Sequence, residues 1–310
     1  MKLGFLYAGQ GSQHKGMGAD LYEQYPVFRA AFDEAKTDFD LKKVCFEDPD
    51  GVINQTKYTQ PCMVAFAVGM TDLLKEKGIV PSVAAGLSLG EYSALYAAGV
   101  FERETAVELA AFRGDAMQKA AQGTDSAMVA VLGLDREPLL KACEEASALG
   151  TVVIANYNCP GQLVLGGQKD AVEKAAALAK EKGAKRCMPL KVSGPFHTPY
   201  MAPAGEALKG YFETVDFHEM QIPVIFNCLG DVKGEDVTIP ELLVRQVQSS
   251  VYMEDSIRRM IDMGVDAIVE IGPGKALSGF LKRIDPQMQV YNVETAEDVE
   301  ALAALLQGRK

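Results

Sequence analysis

The chain has 310 residues, 48% of them hydrophobic and 24% charged, and it is long enough to bury one large core or two smaller ones. Its formal net charge of −11 argues against nucleic acid and anionic membranes as general partners. No run of about 18 apolar residues occurs, which argues against a membrane span. The six cysteines show no CxxC spacing and no export signal precedes them, so we expect reduced thiols and a cytoplasmic protein.

Strand and helix patterns alternate in the first part of the chain. An apolar strand is predicted at residues 3–8, helices at 22–35 and 61–77, a short strand at 83–85 and a helix at 103–121. This alternation favours the α/β class, with a largely parallel sheet covered by helices.

The pattern changes at residue 125. The predicted elements there are a strand at 126–132, a helix at 137–149, strands at 151–156 and 162–165, a helix at 169–182 and a strand at 185–192. The order βαββαβ is that of a ferredoxin-like unit. We therefore predict an α/β core formed by residues 1–124 and 193–310, with a ferredoxin-like subdomain inserted at 125–192. In the last segment we predict strands at 224–227 and 267–271 and helices at 240–249, 254–263 and 296–306.

The pentapeptide Gly-Leu-Ser-Leu-Gly at residues 86–90 follows an apolar run and precedes a stretch of helical composition. A strand, a sharp turn and a helix form the context of a nucleophile elbow. The glycines permit the tight turn, and the start of the helix directs backbone N–H groups towards a developing oxyanion. We predict that Ser88 is a nucleophile; the alternative is a serine without chemical function in a glycine-rich turn.

A general base for Ser88 has to come from three histidines, His14, His197 and His218. None has a His or Cys partner at metal-ligand spacing, so we expect no metal site. His14 follows a glycine-rich loop at residues 9–13 that lacks the third glycine of a dinucleotide fingerprint. We interpret that loop as one whose backbone N–H groups face an anion or an oxyanion.

Arg113 interrupts an apolar stripe on the predicted helix at 103–121, where Ala106, Ala110 and Met117 share its face. A guanidinium that faces a core costs several kcal/mol unless it is paired. Its partner is therefore either a structural acidic residue or the carboxylate of a ligand.

Seven short motifs occur in order along the chain: Gly-Gln-Gly-Ser-Gln at 9–13, Gly-Leu-Ser-Leu-Gly-Glu at 86–91, Arg113, Asn-Tyr-Asn-Cys-Pro-Gly-Gln at 156–162, Ser-Gly-Pro-Phe-His at 193–197, Arg-Gln-Val at 245–247 and Glu-Ile-Gly-Pro-Gly at 270–274. Each motif alone is weak, whereas their order and spacing together are specific. Nearly end to end, the chain resembles the malonyl-CoA:acyl-carrier-protein transacylases, the acyltransferase family of bacterial fatty acid synthesis. That family has a hydrolase-like α/β core with an inserted ferredoxin-like subdomain.

The resemblance implies catalytic roles. Ser88 is the nucleophile, His197 is its general base, and Gln246 holds the imidazole where hydrolases use a carboxylate. The backbone N–H groups of Gln10 and Leu89 form the oxyanion hole.

The resemblance also implies a substrate pocket. Arg113 binds the free malonyl carboxylate through two parallel hydrogen bonds. Phe196 either narrows the acyl pocket or packs in the core. The other matching pocket positions are Gln60, Met117, Asn156 and Asn158. The chain departs from the family at Leu87, where a histidine is frequent, and at 249–253, which replace a more common Asn-Pro-Val-x-Trp.

The activity implied is transfer of a malonyl group from coenzyme A to the thiol of acyl carrier protein, through an acyl-serine ester and with no bound cofactor. One alternative is a serine thioesterase or esterase, but the usual triad order needs a late histidine and none follows His218. Others are a malonyltransferase that serves a polyketide synthase and a catalytically silent subunit that binds the carrier. Because such carriers are acidic, we expect docking on local cations, with candidates Lys185, Arg186, Lys191, Lys275, Lys282 and Arg283.

Overall fold

The computed structural model describes residues 1–308. Its helices, numbered along the chain, are α1 (Ala19–Gln24), α2 (Pro26–Asp33), α3 (Thr56–Glu76), α4 (Gly90–Ala97), α5 (Arg103–Ala121), α6 (Arg136–Ala146), α7 (Lys169–Glu181), α8 (Ala202–Phe212), α9 (Ile239–Val247), α10 (Met253–Asp262), α11 (Ala276–Ile284) and α12 (Ala296–Gln307). Its strands are β1 (Leu3–Tyr7), β2 (Val83–Gly86), β3 (Ser126–Leu132), β4 (Val152–Cys159), β5 (Gln162–Gln168), β6 (Arg186–Pro189), β7 (Ile225–Phe226), β8 (Asp231–Val232), β9 (Ala267–Ile271) and β10 (Gln289–Val293). Among residues 1–308, none of the helices has the length and the apolar composition that a membrane span requires.

The chain divides into two compact units, each built from separate stretches of sequence. The first comprises Met1–Gly114, Val215–Ile225 and the described residues from Met260 onward. The second comprises Asp115–Thr214 and Phe226–Arg259. The second unit thus contains the segment 125–192 together with residues that the sequence prediction assigned to the large core. Backbone hydrogen bonds explain part of this difference. The Val251 N–H donates to the Ala155 carbonyl, and the Val251 carbonyl accepts from the Tyr157 N–H.

The first unit contains a four-stranded parallel sheet in the order β10-β9-β1-β2. All five residues of β1 and all four of β2 are buried, as expected for central strands that are covered on both faces. This arrangement confirms the predicted α/β class with a parallel sheet and helices. The register pairs Tyr7 with Gly86, so the loops that follow β1 and β2 leave the sheet at the same edge.

The second unit contains a four-stranded antiparallel sheet in the order β4-β5-β3-β6. The sequence order of its elements is β3, α6, β4, β5, α7 and β6. Alternate residues of β3, including Val129 and Val131, form one apolar cluster with buried residues of α6 and α7, such as Leu139 and Val172. The period of two along the strand thus sets which face packs against the helices.

Several predicted bounds were wrong for identifiable reasons. The helix predicted at 22–35 is two helices, because Pro26 starts α2 and ends the continuity with α1. The helix predicted at 61–77 begins at Thr56 and carries Pro61 in its second turn. The last predicted strand of the insertion is only the four residues of β6. Two elements, α8 and β10, were not predicted from the sequence.

Candidate active site

Ser88 lies at the sharp turn between β2 and α4, where its φ of 52° is in the left-handed region. The flanking glycines are required by close packing. A Cβ on Gly86 would lie 2.1 Å from the carbonyl carbon of Gly90, and a Cβ on Gly90 would lie 2.4 Å from the Tyr7 carbonyl oxygen. The predicted strand, turn and helix around the serine are therefore present.

Backbone hydrogen bonds hold the elbow. Leu87 N–H donates to the Tyr7 carbonyl at 3.0 Å, which ties the turn to the end of β1. Gly90 N–H donates to Leu87 and Glu91 N–H donates to Ser88, so the first turn of α4 closes directly behind the serine. The N–H groups at a helix start carry partial positive charge, and Leu89, the N-cap of α4, lies among them.

Arg113 lies on the buried face of α5, as the apolar stripe predicted, and is 0% exposed. Its Nη1 donates to Gln60 Oε1 at 2.9 Å and its Nη2 donates to Ser88 Oγ at 3.2 Å. Its guanidinium carbon lies 5.2 Å from the centroid of the Tyr92 ring. The structure thus brings the buried cation and the elbow serine into direct contact.

Burial lowers the pKa of the Arg113 guanidinium from its ordinary value, and the nearby Tyr92 and Glu91 oppose that shift. A desolvated guanidinium beside Ser88 favours an anionic ligand, because a carboxylate accepts two N–H groups in its plane.

A chain of amide side chains joins this cation to the first glycine-rich loop. Gln60 Nε2 donates to Gln10 Oε1 at 3.3 Å, and Gln10 Nε2 donates to Thr56 Oγ1 at 3.0 Å. Gln10 itself follows Gly9, whose Cβ position is only 2.5 Å from the Leu87 carbonyl oxygen. The loop after β1 and the elbow therefore lie side by side within the first unit.

In the second unit, His197 is 4% exposed and has a φ of 59°. Its Nδ1 lies 3.0 Å from the backbone carbonyl oxygen of Gln246. Because a carbonyl oxygen only accepts, Nδ1 carries the proton in this hydrogen bond. The neutral ring then has its lone pair at Nε2, as a general base requires.

Gln246 lies one residue before the end of α9, a helix that begins with a capping box of Thr238 and Glu241. The last carbonyls of a helix have no N–H donor within the helix, because the residue four positions later lies beyond its end. The Gln246 carbonyl is therefore available to the imidazole. Side chains of Gln248 and Ser249 donate to the neighbouring carbonyls of Val244 and Arg245. The negative end of the helix dipole stabilises a charged imidazole by about 0.3–2 kcal/mol.

The other predicted pocket residues of the second unit are Met117, Asn156, Asn158 and Phe196. Met117 and Phe196 are buried, and Asn156, on β4, is half-buried. Asn158 is 8% exposed, and its Oδ1 has no hydrogen-bond partner within residues 1–308. A buried acceptor of this kind is a position where a ligand donor is favourable.

Two residues of the site, Thr56 and Tyr92, were not predicted from the sequence. Thr56 precedes Gln60 by one helical turn and Tyr92 follows Ser88 by four residues, so the i,i+4 spacing was the available signal. The other two histidines pair with acidic residues: His14 Nε2 lies 2.7 Å from Glu294, and His218 Nε2 lies 3.7 Å from Glu102. Within the described chain, no group of three His, Cys, Asp or Glu residues is arranged to hold a metal.

A parallel α/β sheet with a serine at a sharp turn between a strand and a helix is typical of enzymes that transfer acyl groups. The sequence model of the acyl transferase domain family matches residues 4–301 of the chain. The malonyl CoA-acyl carrier protein transacylase of Bacillus subtilis is 42% identical over 302 residues, with 96% of this chain and 95% of the relative covered.

Solved structures agree with these sequence matches. MCAT from Streptococcus pneumoniae has a TM-score of 0.93 and 44% identity, covering 98% of this chain and 100% of its own. A malonyl-transacylase in complex with a type II PKS acyl-carrier protein has a TM-score of 0.94 and 36% identity, covering 98% and 100%. The chain belongs to the acyl transferase domain family and, within it, to the malonyl CoA-acyl carrier protein transacylases.

Proposed function

We propose that the chain transfers a malonyl group from coenzyme A to the thiol of acyl carrier protein through a malonyl ester on Ser88. The observation that carries the proposal is the 3.2 Å contact between the hydroxyl of an elbow serine and a fully buried guanidinium. The serine supplies a nucleophile. The guanidinium supplies a binding group for the free carboxylate, which a malonyl group has and an acetyl group lacks.

In the first half-reaction, Ser88 Oγ attacks the thioester carbonyl and its proton passes to Nε2 of His197. The C–S bond then breaks, and the same proton leaves with the coenzyme A thiolate. In the second half-reaction the carrier thiol gives its proton to Nε2, its sulfur attacks the ester, and Ser88 recovers the proton. The two half-reactions produce ping-pong kinetics.

A helix-end carbonyl, rather than a carboxylate, orients the base in this proposal. The Gln246 carbonyl fixes the tautomer and leaves the imidazole a moderate base. A thiolate is a much better leaving group than an amine, so thioester exchange does not need a stronger base.

We assign the oxyanion hole to the backbone N–H groups of Gln10 and Leu89. The adjacency of their two loops and the position of Leu89 at the start of α4 support the assignment. Loss of one such donor costs about 3–4 kcal/mol of transition-state stabilisation.

Arg113 binds the malonyl carboxylate, and Gln60 holds one of its N–H groups in position. The guanidinium donates to two neutral acceptors, Gln60 Oε1 and Ser88 Oγ. A carboxylate in their place compensates for the desolvation of Arg113, so we expect malonyl to be preferred over uncharged acyl groups. Met117, Asn156, Asn158 and Phe196 complete the pocket in this proposal. The unpartnered Oδ1 of buried Asn158 supports a role in binding a substrate donor.

We also propose a hydrolase-like core formed by residues 1–124 and 193–310, with a ferredoxin-like subdomain at 125–192. The βαββαβ order and the fully antiparallel sheet support the subdomain. Composition and cysteine usage support a cytoplasmic enzyme. Its substrate is a coenzyme A thioester, and the proposal includes no resident cofactor or metal.

The similarity to a transacylase solved with a type II PKS carrier keeps a second carrier class as a candidate. Transfer assays with a fatty acid carrier and a polyketide carrier, at equal concentration, distinguish the two by their kcat/KM values.

The test of the proposed function is intact-mass spectrometry after the enzyme is mixed with malonyl-CoA and no carrier. We expect one malonyl adduct on the wild type and none on Ser88→Ala. Carrier added to the adduct then removes it and becomes malonylated. Rapid release of free malonate without carrier supports a hydrolase instead, and an adduct that persists in Ser88→Ala contradicts the assignment of the nucleophile.

A further inference from the structure

Tyr92 has a buried hydroxyl for which the described chain supplies no acceptor. The side chain lies on α4, four residues after Ser88, and is 0% exposed. Its Oη makes no hydrogen bond of ordinary geometry to any of the residues that the structure describes. A buried hydroxyl without a partner costs free energy, and such groups are rare in folded proteins. A ligand that accepts from this hydroxyl would remove the cost.

The guanidinium of Arg113 lies against the ring of the same tyrosine. Its Cζ is 5.2 Å from the ring centroid, a distance at which the face of an aromatic ring attracts a cation. Burial raises the pKa of the Tyr92 hydroxyl, and the charge of Arg113 opposes that rise. The ring and the hydroxyl of Tyr92 therefore both belong to the surroundings of the cation.

Arg113 cannot accept the hydrogen of this hydroxyl, because a guanidinium has five N–H donors and no acceptor. The phenolic oxygen can face the cation, but its hydrogen then needs an acceptor elsewhere. An ionised carboxylate is the complementary ligand, since it has about four lone-pair positions and no hydrogen of its own. When two of these positions accept from Arg113, others remain for Tyr92.

Ser88 determines where such a carboxylate lies. Its Oγ is 3.2 Å from Nη2 of Arg113. In a malonyl ester, three bonds separate Oγ from the carboxylate carbon, a span of about 4 Å. A malonyl group on Ser88 is thus confined to the neighbourhood of Arg113. Tyr92 belongs to the same compact unit as both residues, and its ring contacts that guanidinium.

We propose that Tyr92 is a second specificity-determining residue of the malonyl site: its ring holds the Arg113 guanidinium, and its hydroxyl donates a hydrogen bond to the malonyl carboxylate. This inference rests on the proposed function. An acetyl group has no acceptor at that place and leaves the hydroxyl without a partner. The preference for malonyl therefore depends on Tyr92 of α4 as well as on Arg113 of α5.

The test removes the hydroxyl and the ring separately. Tyr92→Phe deletes the hydroxyl and keeps the ring, whereas Tyr92→Leu deletes both. The matched control is Tyr96→Phe, which deletes the hydroxyl of a second tyrosine of α4, one that donates to Asp72 at 2.7 Å. For each variant, kcat/KM is measured for malonyl-CoA and for acetyl-CoA. Thermal unfolding is measured with and without the malonyl ester on Ser88.

We expect Tyr92→Phe to lower the ratio of kcat/KM for malonyl-CoA to that for acetyl-CoA by about tenfold or more, the usual effect of losing a hydrogen bond to a charged group. Activity on acetyl-CoA should stay near that of the wild type. Tyr92→Leu should lower the ratio further, because the contact between ring and cation is also lost. The malonyl ester should raise the unfolding temperature less in Tyr92→Phe than in the wild type. Tyr96→Phe should keep the wild-type ratio.

A double-mutant cycle tests whether the two residues share one ligand. In the Arg113→Ala background, Tyr92→Phe should change the ratio much less than it does in the wild type, because both residues act on the same carboxylate. An equal change in the two backgrounds would show that they act separately and would overturn the proposal.

A measurement on the wild type does not depend on the folding of any variant. The chain contains no tryptophan, so tyrosine dominates its near-ultraviolet absorption. A phenol that donates to a carboxylate absorbs at longer wavelength, and the malonyl-enzyme should therefore be red-shifted relative to the acetyl-enzyme. Identical spectra of the two acyl-enzymes would contradict the hydrogen bond.

The kinetic outcomes that overturn the proposal are equally definite. An unchanged ratio in Tyr92→Phe shows that the hydroxyl does not contact the carboxylate. An equal loss of both activities shows that the hydroxyl is structural. These outcomes are distinct from failure of the proposed function, in which the wild type forms no malonyl adduct.

Discussion

Ser88 and His197 share an unfavourable backbone conformation, with φ of 52° and 59°, but the chain supports them in different ways. Around Ser88 the support is local. Gly86 and Gly90 leave space for the turn, and any side chain at either position would collide with the backbone. Around His197 it is distant in sequence, since Gln246 holds the ring from 49 residues away.

The comparison shows where a reactive side chain can be recognised from sequence. A left-handed conformation costs about 1–3 kcal/mol at a non-glycine residue and persists only where the surroundings fix it. Local support by glycines requires particular residue types, whereas support from a backbone carbonyl does not, because any residue type provides a carbonyl. At His197 the turn is further fixed by Thr198 Oγ1, which donates to the Pro195 carbonyl.

The largest expected effect is that of removing the imidazole. His197→Ala should reduce acyl transfer by about two to four decades, the usual contribution of a positioned general base. The matched control is His14→Ala, which removes an exposed histidine paired with Glu294. Steady-state kcat/KM for malonyl-CoA checks the prediction. An inactive His14→Ala variant together with an active His197→Ala variant would show that His14, not His197, is the general base.

A smaller effect is expected at Gln246, and it tests whether the support of the base is a backbone contact. Gln246→Leu keeps the carbonyl that accepts from Nδ1, so the loss of kcat should be within about tenfold, well below that of a lost base. The pH profile of kcat should keep its shape. A loss as large as that of His197→Ala would show that the side chain, not the carbonyl, holds the imidazole.

The smallest expected effect concerns the pH dependence of stability at His14. The hydrogen bond to Glu294 raises the pKa of His14 above its ordinary value. This pair therefore stabilises the fold fully below the unfolded-state pKa of about 6.5, and its contribution is lost as pH rises through the higher folded-state pKa. Because the pair is half exposed, it contributes at most about 1 kcal/mol. His14→Gln should flatten the unfolding free energy in that pH window, and an unchanged slope would contradict the pairing.

The sequence predicted the elements with strong periodicity or clear boundaries. The parallel sheet, the elbow at Ser88 and the buried face of α5 with Arg113 were all expected, because each has a local pattern. The break before α2 was missed although Pro26 signalled it, since the apolar pattern continues across the proline. The strand β10 alternates weakly and is only partly buried, and periodicity therefore did not reveal it.

The details of the candidate site were less predictable. Two partners of Arg113, the Gln60 amide and the Tyr92 ring, come from α3 and α4, and their contacts depend on how those helices pack. The helix pattern alone left two partners open for this cation, a structural acid and a ligand carboxylate. Tertiary packing decided that the guanidinium lies against the Ser88 hydroxyl.

The substrate preference set by Arg113 is the central claim, and the ratio of kcat/KM for malonyl-CoA to that for acetyl-CoA measures it most directly. Loss of one partner of a buried charged pair costs about 3–5 kcal/mol, so Arg113→Ala should lose most malonyl transfer and gain relative activity on acetyl-CoA. Arg113→Lys should restore little, because an ammonium group makes no bidentate contact with a carboxylate. We predict that the ratio of kcat/KM for malonyl-CoA to that for acetyl-CoA falls steeply in Arg113→Ala. An equal fall of both activities, with the ratio preserved, would contradict the account and make Arg113 a structural residue.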